Sequence, residues 1–399
     1  MYSKGEVATF IEEEDVKFIR LAFCDIYGRQ KNISIMPNEL DRAFNEGISF
    51  DASAIAGFGD EMRSDLFLHP DPSTLSILPW RPAHGRVVRM FCDIRYPDGT
   101  PYELDCRHIL KETLKEAAAA GIECRFGSEC EFYLFKTDEQ GRKTNEPLDT
   151  AGYMDIAPED KGENIRREIC FTLSDMGIAP ESSHHEEGPG QNEVDFRYGE
   201  PLKAADDAVT FKSVVKTIAT LNGIYAEFSP KPLAGFSGNG MHINISLKSN
   251  DGLDHTEQFM AGILKHIKEL TLFLNPSEQS YKRLGEHKAP KYITWSPENR
   301  SQLIRIPAAF GEHRRMELRS PDPEANPYLA YSLLIKAGIR GIKDELTPQK
   351  ATNVNLFYAN SSDTNGLEEL PVTLREAKEA AKNSAFIKSC LPERLIEAF

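Results

Sequence analysis

The sequence contains no Lys/Arg-rich run, no long apolar run and no Cys-x-x-Cys motif. The first absence, with a net charge of −15, argues against binding to nucleic acid or to an anionic membrane surface. The second argues against a membrane span, and the acidic N-terminus does not resemble a signal peptide. The third, with seven scattered cysteines, disfavours a disulfide framework or a zinc knuckle, so we expect a cytoplasmic protein.

The common nucleotide-binding loops are also missing. Neither a Walker A loop nor a Gly-x-Gly-x-x-Gly motif occurs in the chain. The glycine-rich segment 235–240, GFSGNG, lacks the dinucleotide-binding spacing, and we interpret it as a loop that approaches a ligand closely. With 399 residues, 40% of them hydrophobic, the chain is long enough for two domains.

Hydrophobic periodicity indicates where these domains lie. It predicts strands at 17–35 and 85–95 with a helix at 38–46 between them, as in a small α+β domain. A strongly periodic helix at 107–120 opens a larger domain, so we expect the small domain to end near Leu104. Further helices are predicted at 164–176, 204–222, 255–274, 327–343 and 374–382.

Four short predicted strands are apolar on one face and polar on the other, because strand side chains alternate between faces. Their sequences are GSECEFYLF, QNEVDFRY, MHINISL and RRMELRS. One such strand is typical of a solvated sheet edge, but four together indicate a shared cavity. The polar faces carry Glu129, Glu131, Tyr133, Glu193, Asp195, Arg197, His242, Asn244, Ser246, Arg315, Glu317 and Arg319.

Carboxylates clustered in one cavity repel one another and cannot all remain ionised without cations. Oxygen ligands with one imidazole suit Mg²⁺ or Mn²⁺ better than zinc. Arginines beside them would face a second anion, such as a phosphate. Two further segments extend the cluster: ESSHHEEGPGQNE contributes Glu186, and ENRSQLIRIP contributes Arg300 and Arg305.

Seven segments resemble the bacterial class-I type of the glutamine synthetase family. They are FDASAIAGF, GSECEFYLF, SHHEEGPGQNEVDFRY, KPLAGFSGNGMHINISL, SYKRL, ENRSQLIRIP and RRMELRSPDPEANPYL. The resemblance runs from about Val16 to Phe399, and it implies an α+β fold. A small N-terminal β-grasp domain at 1–103 would precede a large catalytic domain at 104–399, with a curved antiparallel sheet flanked by helices.

The resemblance also implies two divalent cations, Mg²⁺ or Mn²⁺, in each active site. The ligands of the first would be Glu131, Glu186 and Glu193. The ligands of the second, which lies nearer the ATP phosphates, would be Glu129, His242 and Glu317.

The reaction implied by the resemblance is an ATP-dependent amide ligation. ATP phosphorylates the side-chain carboxylate of glutamate, and ammonia then attacks the acyl phosphate and expels phosphate. Arg300, Arg305 and Arg315 would stabilise the transferring group. The matching nucleotide contacts are Ser246, Arg305 and Arg315. The matching substrate contacts are Tyr153, Gly238, Arg283 and Arg319, the last of them close to the reacting end.

Two aspartates would complete the site from a neighbouring subunit. Asp51 and Asp65 match residues that an adjacent subunit donates to the ammonium pocket, and Asp51 is the expected base. The resemblance therefore implies a homo-oligomeric ring. Family members commonly stack two hexameric rings, joined in part by a C-terminal segment that would follow Phe399, so we expect a hexamer or a weakly stacked dodecamer.

The chain also departs from the family pattern. The flap commonly reads RLVPGYEAP, whereas this chain reads RLGEHKAP, one residue shorter and with Lys288 in place of the glutamate. Ser237 replaces an asparagine before Gly238, and Ala54 replaces a serine. Phe357 occupies the position of a tyrosine that some members nucleotidylate, so this control is expected to be absent.

Three functional hypotheses therefore stay open at the level of sequence. The first is a glutamine synthetase with an altered flap and ammonia as the nucleophile. The second is a γ-glutamyl ligase for another small amine or for a glutamate analogue. The third is a catalytically silent binding or structural homologue, which the six intact metal-ligand positions disfavour.

Overall fold

The computed structural model describes residues 2–59, 62, 64–81, 84–309 and 314–399. Asp60, Glu61 and Arg63, part of the loop that follows the FDASAIAGF motif, lie outside the described residues. The N-terminal part contains helices α1 (Lys4–Glu13) and α2 (Leu40–Asn45) and strands β1 (Val16–Cys24), β2 (Gln30–Ile35), β3 (Ile48–Asp51), β4 (Asp65–Pro70), β5 (Ser76–Ile77) and β6 (Arg86–Arg95).

The described N-terminal strands form one sheet in the order β2-β1-β6-β4-β3, with β5 also paired to β6. The pair β1–β6 is parallel, whereas β1–β2 and β4–β6 are antiparallel. Ile19, Leu21 and Phe23 alternate along β1 and are buried, as the period of two requires. The small α+β domain predicted from the sequence is confirmed.

The remainder of the chain forms a larger unit. Its helices are α3 (Cys106–Ala119), α4 (Glu163–Asp175), α5 (Pro201–Leu221), α6 (Thr256–Leu274), α7 (Glu278–Arg283), α8 (Pro327–Lys343), α9 (Leu374–Asn383), α10 (Ala385–Cys390) and α11 (Glu393–Ala398). Its strands are β7 (Ile122–Thr137), β8 (Lys143–Pro147), β9 (Pro180–His185), β10 (Gln191–Phe196), β11 (Ile224–Glu227), β12 (Met241–Ser249), β13 (Trp295–Pro297), β14 (Ile304–Ile306) and β15 (Met316–Leu318).

The described strands of this unit form a sheet in the order β13-β14-β15-β12-β7-β10-β9, with β8 and β11 also paired to β7. The sheet is mixed, because β13 and β14 are parallel while the other pairs are antiparallel. The expected curved antiparallel sheet is confirmed, with β13–β14 as a parallel pair at its edge. Helices α3, α5 and α8 pack against β7, and α6 packs on α8.

A buried arginine joins the two units. Arg107, near the start of α3, forms ion pairs with Asp71 and Asp93 of the N-terminal part at 2.9 and 3.0 Å. The same guanidinium donates to Asp206 of α5 through Nε and Nη2 at 3.1 and 3.0 Å. Three carboxylates thus compensate one buried cation, and they orient the small sheet against α5. The domain boundary near Leu104 stays a prediction.

The long predicted helices are confirmed within a few residues, and α8 coincides with the predicted range 327–343. Helices α1, α7, α10 and α11 were not predicted. They have 6 to 10 residues each, and helices of this length give a weaker periodic signal than longer ones. The described residues include no helix that is both long and apolar enough to cross a membrane. All seven cysteines are free, and five of them are buried.

Candidate active site

Strand pairing places the candidate metal ligands beside one another. Glu193 of β10 lies opposite Glu131 of β7, and His242 of β12 lies opposite Glu129 of β7. Directly opposed residues have Cβ atoms about 5 Å apart, so their side chains share one face of the sheet. His242 Nδ1 lies 3.4 Å from Oε2 of Glu129. Three strands from distant parts of the chain therefore present three carboxylates and an imidazole to the same space.

The fourth polar strand extends this face. Glu317 of β15 lies opposite Asn244 of β12 and opposite Arg305 of β14. Arg305 donates to Oε2 of Glu317 at 2.6 Å and to the carbonyl of Glu298 at 3.1 Å. Asn244 donates to Glu129 at 2.8 Å and accepts from Nε of Arg315 at 2.8 Å. Because both arginines are held by side chains of the sheet, their orientation is defined before any ligand binds.

A cavity of about 780 Å³ opens above this face. Its volume lies within the range of small-molecule sites in proteins. The sequence-predicted residues among its described lining are Glu129, Glu131, Tyr153, Glu186, Glu193, Asp195, Gly238, His242, Arg283, Arg300, Arg305, Arg315 and Arg319.

The electrostatics of the cavity favour bound cations. Burial raises the pKa of Glu193 well above its usual value, and Asp195 and Glu131 raise it further by like-charge repulsion. Burial and Glu129 together raise the pKa of Asp195 to about 6. Burial also acts to raise the pKa of Glu129, but hydrogen bonds from His242 and Asn244 outweigh it and hold the pKa at about 2. Carboxylates that oppose one another in this way are stabilised as anions when a cation lies between them.

The donor atoms also have the spacing of metal ligands. In each of three sets, the ligating atoms lie within 4.8 Å of one another. Carboxylate oxygens with one imidazole suit Mg²⁺ or Mn²⁺, so the residues fit the expected ions. The sets are Glu129, His242 and Glu317; Glu131, Glu193 and His242; and His184, Glu186 and Glu193.

A buried carboxylate organises the loop that carries Glu186. Asp149 accepts from Nε2 of His185 at 2.8 Å and from the backbone N–H groups of Gly190 and Lys161 at 3.0 and 2.9 Å. The other ring nitrogen of His185 lies 2.6 Å from the carbonyl oxygen of Glu186. Asp149 therefore connects the turn after β9 to the loop that contains Tyr153. His184, the neighbour of His185, bonds to the Glu186 carboxylate at 2.9 Å.

Two buried arginines also line the cavity. Arg283 is 3% exposed and donates to the carbonyls of Ser320 and Arg319 at 2.7 and 3.2 Å. Arg319 is 4% exposed, and its Nε has no hydrogen-bond partner among the described residues. A buried unsatisfied guanidinium donor is costly, so this atom is suited to an anionic ligand. A Cβ on Gly238 would lie 2.9 Å from Arg283 Cγ and 2.3 Å from the carbonyl oxygen of Pro230, so glycine is required there.

The short flap covers one side of the cavity. Lys288 forms an ion pair with Glu187, and its Nζ lies 5.6 Å from the ring centroid of Tyr153. The Tyr153 ring in turn meets His184 edge-on at 5.4 Å between centroids. The charge of Lys288 is therefore compensated by a neighbouring carboxylate, which the sequence pattern did not reveal. Glu286 lines the cavity as well.

Several predicted residues lie outside the cavity of a single chain. Asp51 and Asp65 face each other across β3 and β4 in the N-terminal sheet, and both are exposed. Hydrogen bonds from Ser53 lower the pKa of Asp51. Ser246 follows Asn244 on the same face of β12 but is not among the described lining residues. Arg197 lies beyond the end of β10 and is exposed, so it does not continue that polar face.

Sequence reasoning assigned no positioning role to three residues that hold the ligands in place. Asn244 orients Glu129 and Arg315, although it was identified only as a member of a polar strand face. Gln191 donates to Glu131 at 3.1 Å and to the carbonyl of Gly238 at 3.1 Å. His184 was missed altogether. Its position opposite Glu193 in the β9–β10 pair is a signal that only the strand register supplies.

Comparison with known proteins identifies the family. The family model for the β-grasp domain of glutamine synthetase matches residues 15–97, and the model for its catalytic domain matches residues 103–399. A glutamine synthetase of Clostridium saccharobutylicum is 44% identical over 99% of this chain and 92% of its own length. A glutamine synthetase of Methanosarcina mazei is 45% identical over 100% of this chain and 92% of its own length.

A solved structure has the same fold as this chain. The GmaS/ADP complex superposes with a TM-score of 0.89 at 29% identity, covering 98% of this chain and 93% of that one. The fold, the four polar strands and the matches along the whole chain lead to one conclusion. The chain belongs to the glutamine synthetase family, and it is an ATP-dependent ligase that forms glutamine.

Proposed function

We propose that the central cavity joins ammonia to the γ-carboxylate of glutamate in two steps, with roles for individual side chains as follows. The observation that carries these assignments is the strand register, which sets Glu193 opposite Glu131 and His242 opposite Glu129. An acidic face of this kind, bordered by arginines, suits a reaction in which cations and a phosphoryl group meet.

In the first step an oxygen of the γ-carboxylate attacks the γ-phosphorus of ATP. The bond to the bridging oxygen breaks, ADP leaves, and γ-glutamyl phosphate forms. Arg305 and Arg315 are fixed by Glu317 and Asn244, so their guanidinium groups can stabilise the charge on the phosphoryl oxygens without reorganising. Arg300, which also lines the cavity, is assigned the same role.

Two divalent cations are proposed for this site, Mg²⁺ or Mn²⁺, which supply Lewis-acid neutralisation of the phosphate oxygens when bound. Glu131, Glu186 and Glu193 would hold one ion. Glu193 belongs both to the set of ligands that contains Glu131 and to the set that contains Glu186. The set of Glu129, His242 and Glu317 would hold the other ion. Asn244 and Gln191 orient Glu129 and Glu131 by hydrogen bonds, which keeps the donor atoms in register.

Glutamate is proposed to bind at the end of the cavity formed by Arg319, Arg283 and Gly238. The unpartnered Nε of Arg319 suits a substrate carboxylate, because a charge-assisted bond would satisfy a buried donor. The absence of a side chain at Gly238 leaves its backbone accessible to the α-amino group. Tyr153, half exposed at the cavity rim, would limit the space available to the amine.

In the second step the nitrogen of ammonia attacks the acyl carbon, the C–O bond to phosphate breaks, and a proton leaves the nitrogen. Asp51 of a second copy of the chain is the proposed acceptor of a proton from ammonium, with Asp65 beside it. Both carboxylates are exposed in one chain and are not among the described residues that line its own cavity, which supports a ring whose active sites lie between subunits.

The test is a coupled measurement of phosphate release and product mass. The enzyme is supplied with ATP, Mg²⁺ and glutamate, and then with ammonium or with methylamine, ethylamine or hydroxylamine at equal free-base concentration. We expect the largest kcat/KM with ammonium and glutamine as the product. A larger kcat/KM with an alkylamine would replace this proposal by the ligation of that amine, and no phosphate release with any amine would indicate a silent homologue.

A further inference from the structure

A salt bridge joins two loop residues that line the active-site cavity. Nζ of Lys288, in the flap, pairs with Oε1 of Glu187, which lies between β9 and β10. The same lysine head group lies 5.6 Å from the ring centroid of Tyr153. All three residues line the cavity in which the amine must meet the acyl phosphate. The cavity therefore already contains one bound ammonium group, which belongs to the protein itself.

The backbone at Glu187 is fixed by the residues on either side of it. Its N–H donates to Oε2 of Glu186 at 3.1 Å. The N–H of Gly188 donates to the side chain of Gln191 at 2.9 Å, and a Cβ at this glycine would overlap the hydroxyl of Tyr133. Because no larger residue fits there, the chain is held close to the sheet. Glu187 thereby lines the cavity next to a proposed metal ligand.

The contacts of the Glu187 carboxylate can be exchanged. The side chains of Lys288 and Glu187 are 56% and 34% exposed. Ion pairs with this exposure contribute little to stability, so a small cation can replace Lys288 at low cost. The other carboxylate oxygen, Oε2, lies 3.4 Å from Oγ of Ser237, which is long for a hydrogen bond between oxygen atoms. Oε2 can therefore accept a stronger bond from an incoming donor.

We propose that Glu187 is a further ammonium-binding residue, and that Lys288 occupies its carboxylate until substrate ammonium displaces the lysine. Ammonium and the lysine head group are the same kind of cation. Each donates N–H bonds to carboxylates and is attracted to the face of an aromatic ring. The contacts of Lys288 with Glu187 and Tyr153 therefore describe a place that ammonium fits. This inference rests on the proposed function, because it concerns the amine of the same reaction.

Competition by Lys288 gives the flap a defined effect on the kinetics. A tethered competitor raises the apparent KM for ammonium, and it takes no part in the chemical step. Removing it should lower that KM and leave kcat unchanged. A cation that repelled ammonium only through space would also raise the KM. Its effect, however, would add to that of the Glu187 charge and would not depend on a direct contact with Glu187.

The experiment is a double-mutant cycle on the full-length enzyme at pH 7, with ATP, Mg²⁺ and glutamate saturating and ammonium varied. Glu187→Gln should raise the apparent KM for ammonium about tenfold, as expected for the loss of a charge-assisted contact. Lys288→Met keeps an unbranched side chain and removes the competing charge, so the KM should fall about threefold. The double variant should keep the tenfold increase, because removing a competitor has no effect once the carboxylate is absent.

A second ion pair supplies the matched controls. Lys291 and Glu369 pair at 3.0 Å, and neither is among the described residues that line the active-site cavity. Lys291→Met and Glu369→Gln should each leave the KM for ammonium at the wild-type value. In Glu187→Gln, the KM for glutamate and the Kd for Mn²⁺ should also stay at wild-type values. These two measurements separate a lost ammonium contact from a displacement of Glu186.

Three results would overturn this inference while wild type still forms glutamine. The first is a double variant with the wild-type KM for ammonium, which would show that the two charges act independently through space. The second is an unchanged KM in Glu187→Gln. The third is an equal weakening of Mn²⁺ binding in that variant, which would make Glu187 a support for Glu186. Wild type that forms no glutamine from ammonium would overturn the proposed function as well.

Discussion

The active-site cavity has two unlike walls. We call one the sheet wall, formed by Glu129, Glu131, Glu193 and His242, with Glu317 beside them on the same sheet. We call the other the loop wall, formed by Tyr153, Glu186, Glu187, Lys288 and Arg300. Backbone pairing sets the spacing of the sheet wall, since its members lie opposite one another in ladders of hydrogen bonds. Side-chain contacts between distant loops set the spacing of the loop wall.

This difference separates the residues that we expect to carry out the chemistry from those that we expect to determine substrate specificity. The sheet wall is acidic and is held by backbone pairing. It suits metal ions and the phosphates of ATP, which the reaction needs whichever amine is used. The loop wall surrounds the place where the amine must enter, and it contains the departures from the family pattern. We therefore expect changes in the sheet wall to remove catalysis with little loss of folding stability, and changes in the loop wall to alter affinity and stability in parallel.

The largest effect is expected in the sheet wall. Glu131→Gln keeps the shape of the side chain but removes a metal-ligand charge, so kcat should fall about a thousandfold, the order seen when a key electrostatic group is lost. The unfolding temperature of the metal-free variant should stay near that of wild type, because a neutral amide is less costly to bury than a carboxylate. Glu317→Gln should behave in the same way. Phosphate release at saturating Mg²⁺ and calorimetry measure the two quantities.

The matched control for this prediction is Glu123→Gln, a change at an exposed position of the same strand, β7. It should leave kcat unchanged. The Mn²⁺-dependent rise in unfolding temperature should also be lost in Glu131→Gln and kept in Glu123→Gln. Near-normal phosphate release by Glu131→Gln would show that the sheet wall does not bind the catalytic ions.

The next effect concerns the aspartates that lie outside both walls. Asp51→Asn should lower kcat about a hundredfold with ammonium, the loss expected for a general base. A mixture of inactive Asp51→Asn and Glu131→Gln subunits, dissociated and reassembled, should recover about a quarter of wild-type activity, because random assembly leaves that fraction of shared sites intact. No recovery above the separate variants would mean that both residues serve the same subunit's site, or that neither is catalytic.

The loop wall should be affected by a change at Asp149, which holds one of its segments in position. Asp149→Asn weakens the contact that holds His185 and the turn bearing Glu186, so we expect about a tenfold higher apparent Kd for Mn²⁺. It should also cost about 3 kcal/mol of unfolding free energy, since a buried carboxylate with four hydrogen-bond donors around it is lost. Metal titration and denaturant unfolding measure the two effects. Unchanged Mn²⁺ affinity with full loss of stability would confine Asp149 to a folding role.

A smaller effect is expected at the flap. Wild type should use ammonium poorly at neutral pH and improve as pH rises, because free ammonia increases and Lys288 occupies the position of the family's flap glutamate. Lys288→Glu breaks the pair with Glu187 and adds an anion near Tyr153, so the apparent KM for ammonium at pH 7 should fall about threefold. Lys291→Glu, which breaks the 3.0 Å ion pair with Glu369 outside the active-site cavity, is the control. Tight ammonium saturation by wild type at pH 7 would assign this role to another group.

The smallest effect is expected farthest from both walls. Phe357 has no hydroxyl to modify, while the neighbouring Tyr358 is 88% exposed. We expect no nucleotidylation of this loop, so Tyr358→Phe should leave activity and its regulation unchanged. Intact-mass spectrometry of protein purified from its native host, in nitrogen-poor and nitrogen-rich medium, measures this directly. An adduct with the mass of an adenylyl group on Tyr358 would contradict the prediction.

Much of the sheet wall could be predicted from sequence, and much of the loop wall could not. A period of two assigns Glu129 and Glu131 to one strand face regardless of what lies beside it. The contacts of Lys288 carry no such periodic signal. Its ion pair with Glu187 depends on how the flap and the turn after β9 are folded over the sheet. For that reason the sequence indicated an uncompensated cation, whereas the structure has a paired one.

Two arginines of the N-terminal sheet illustrate the same limit at longer range. The sequence contains Arg20 and Arg89 as ordinary polar residues of two separate strands. The register of β1 and β6 makes them neighbours, and the packing of α5 buries Arg89 beside Thr210. Burial lowers the pKa of Arg89, whereas Asp206 and Asp207 of α5 act to raise it, and the interaction with these carboxylates exists only when α5 is packed on the sheet.

The sequence by itself determined the family, the alternating polar faces and the long helices, because these depend on local periodicity and on ordered motifs. Tertiary structure alone decided which residues oppose one another across strands, as with His242 and Glu129, which lie 113 positions apart in the chain. It also decided which charged side chains lie next to a group of opposite charge, as Lys288 lies next to Glu187. The physical reason is that Coulomb energy and desolvation depend on distance and burial in space, and residue order along the chain does not specify either.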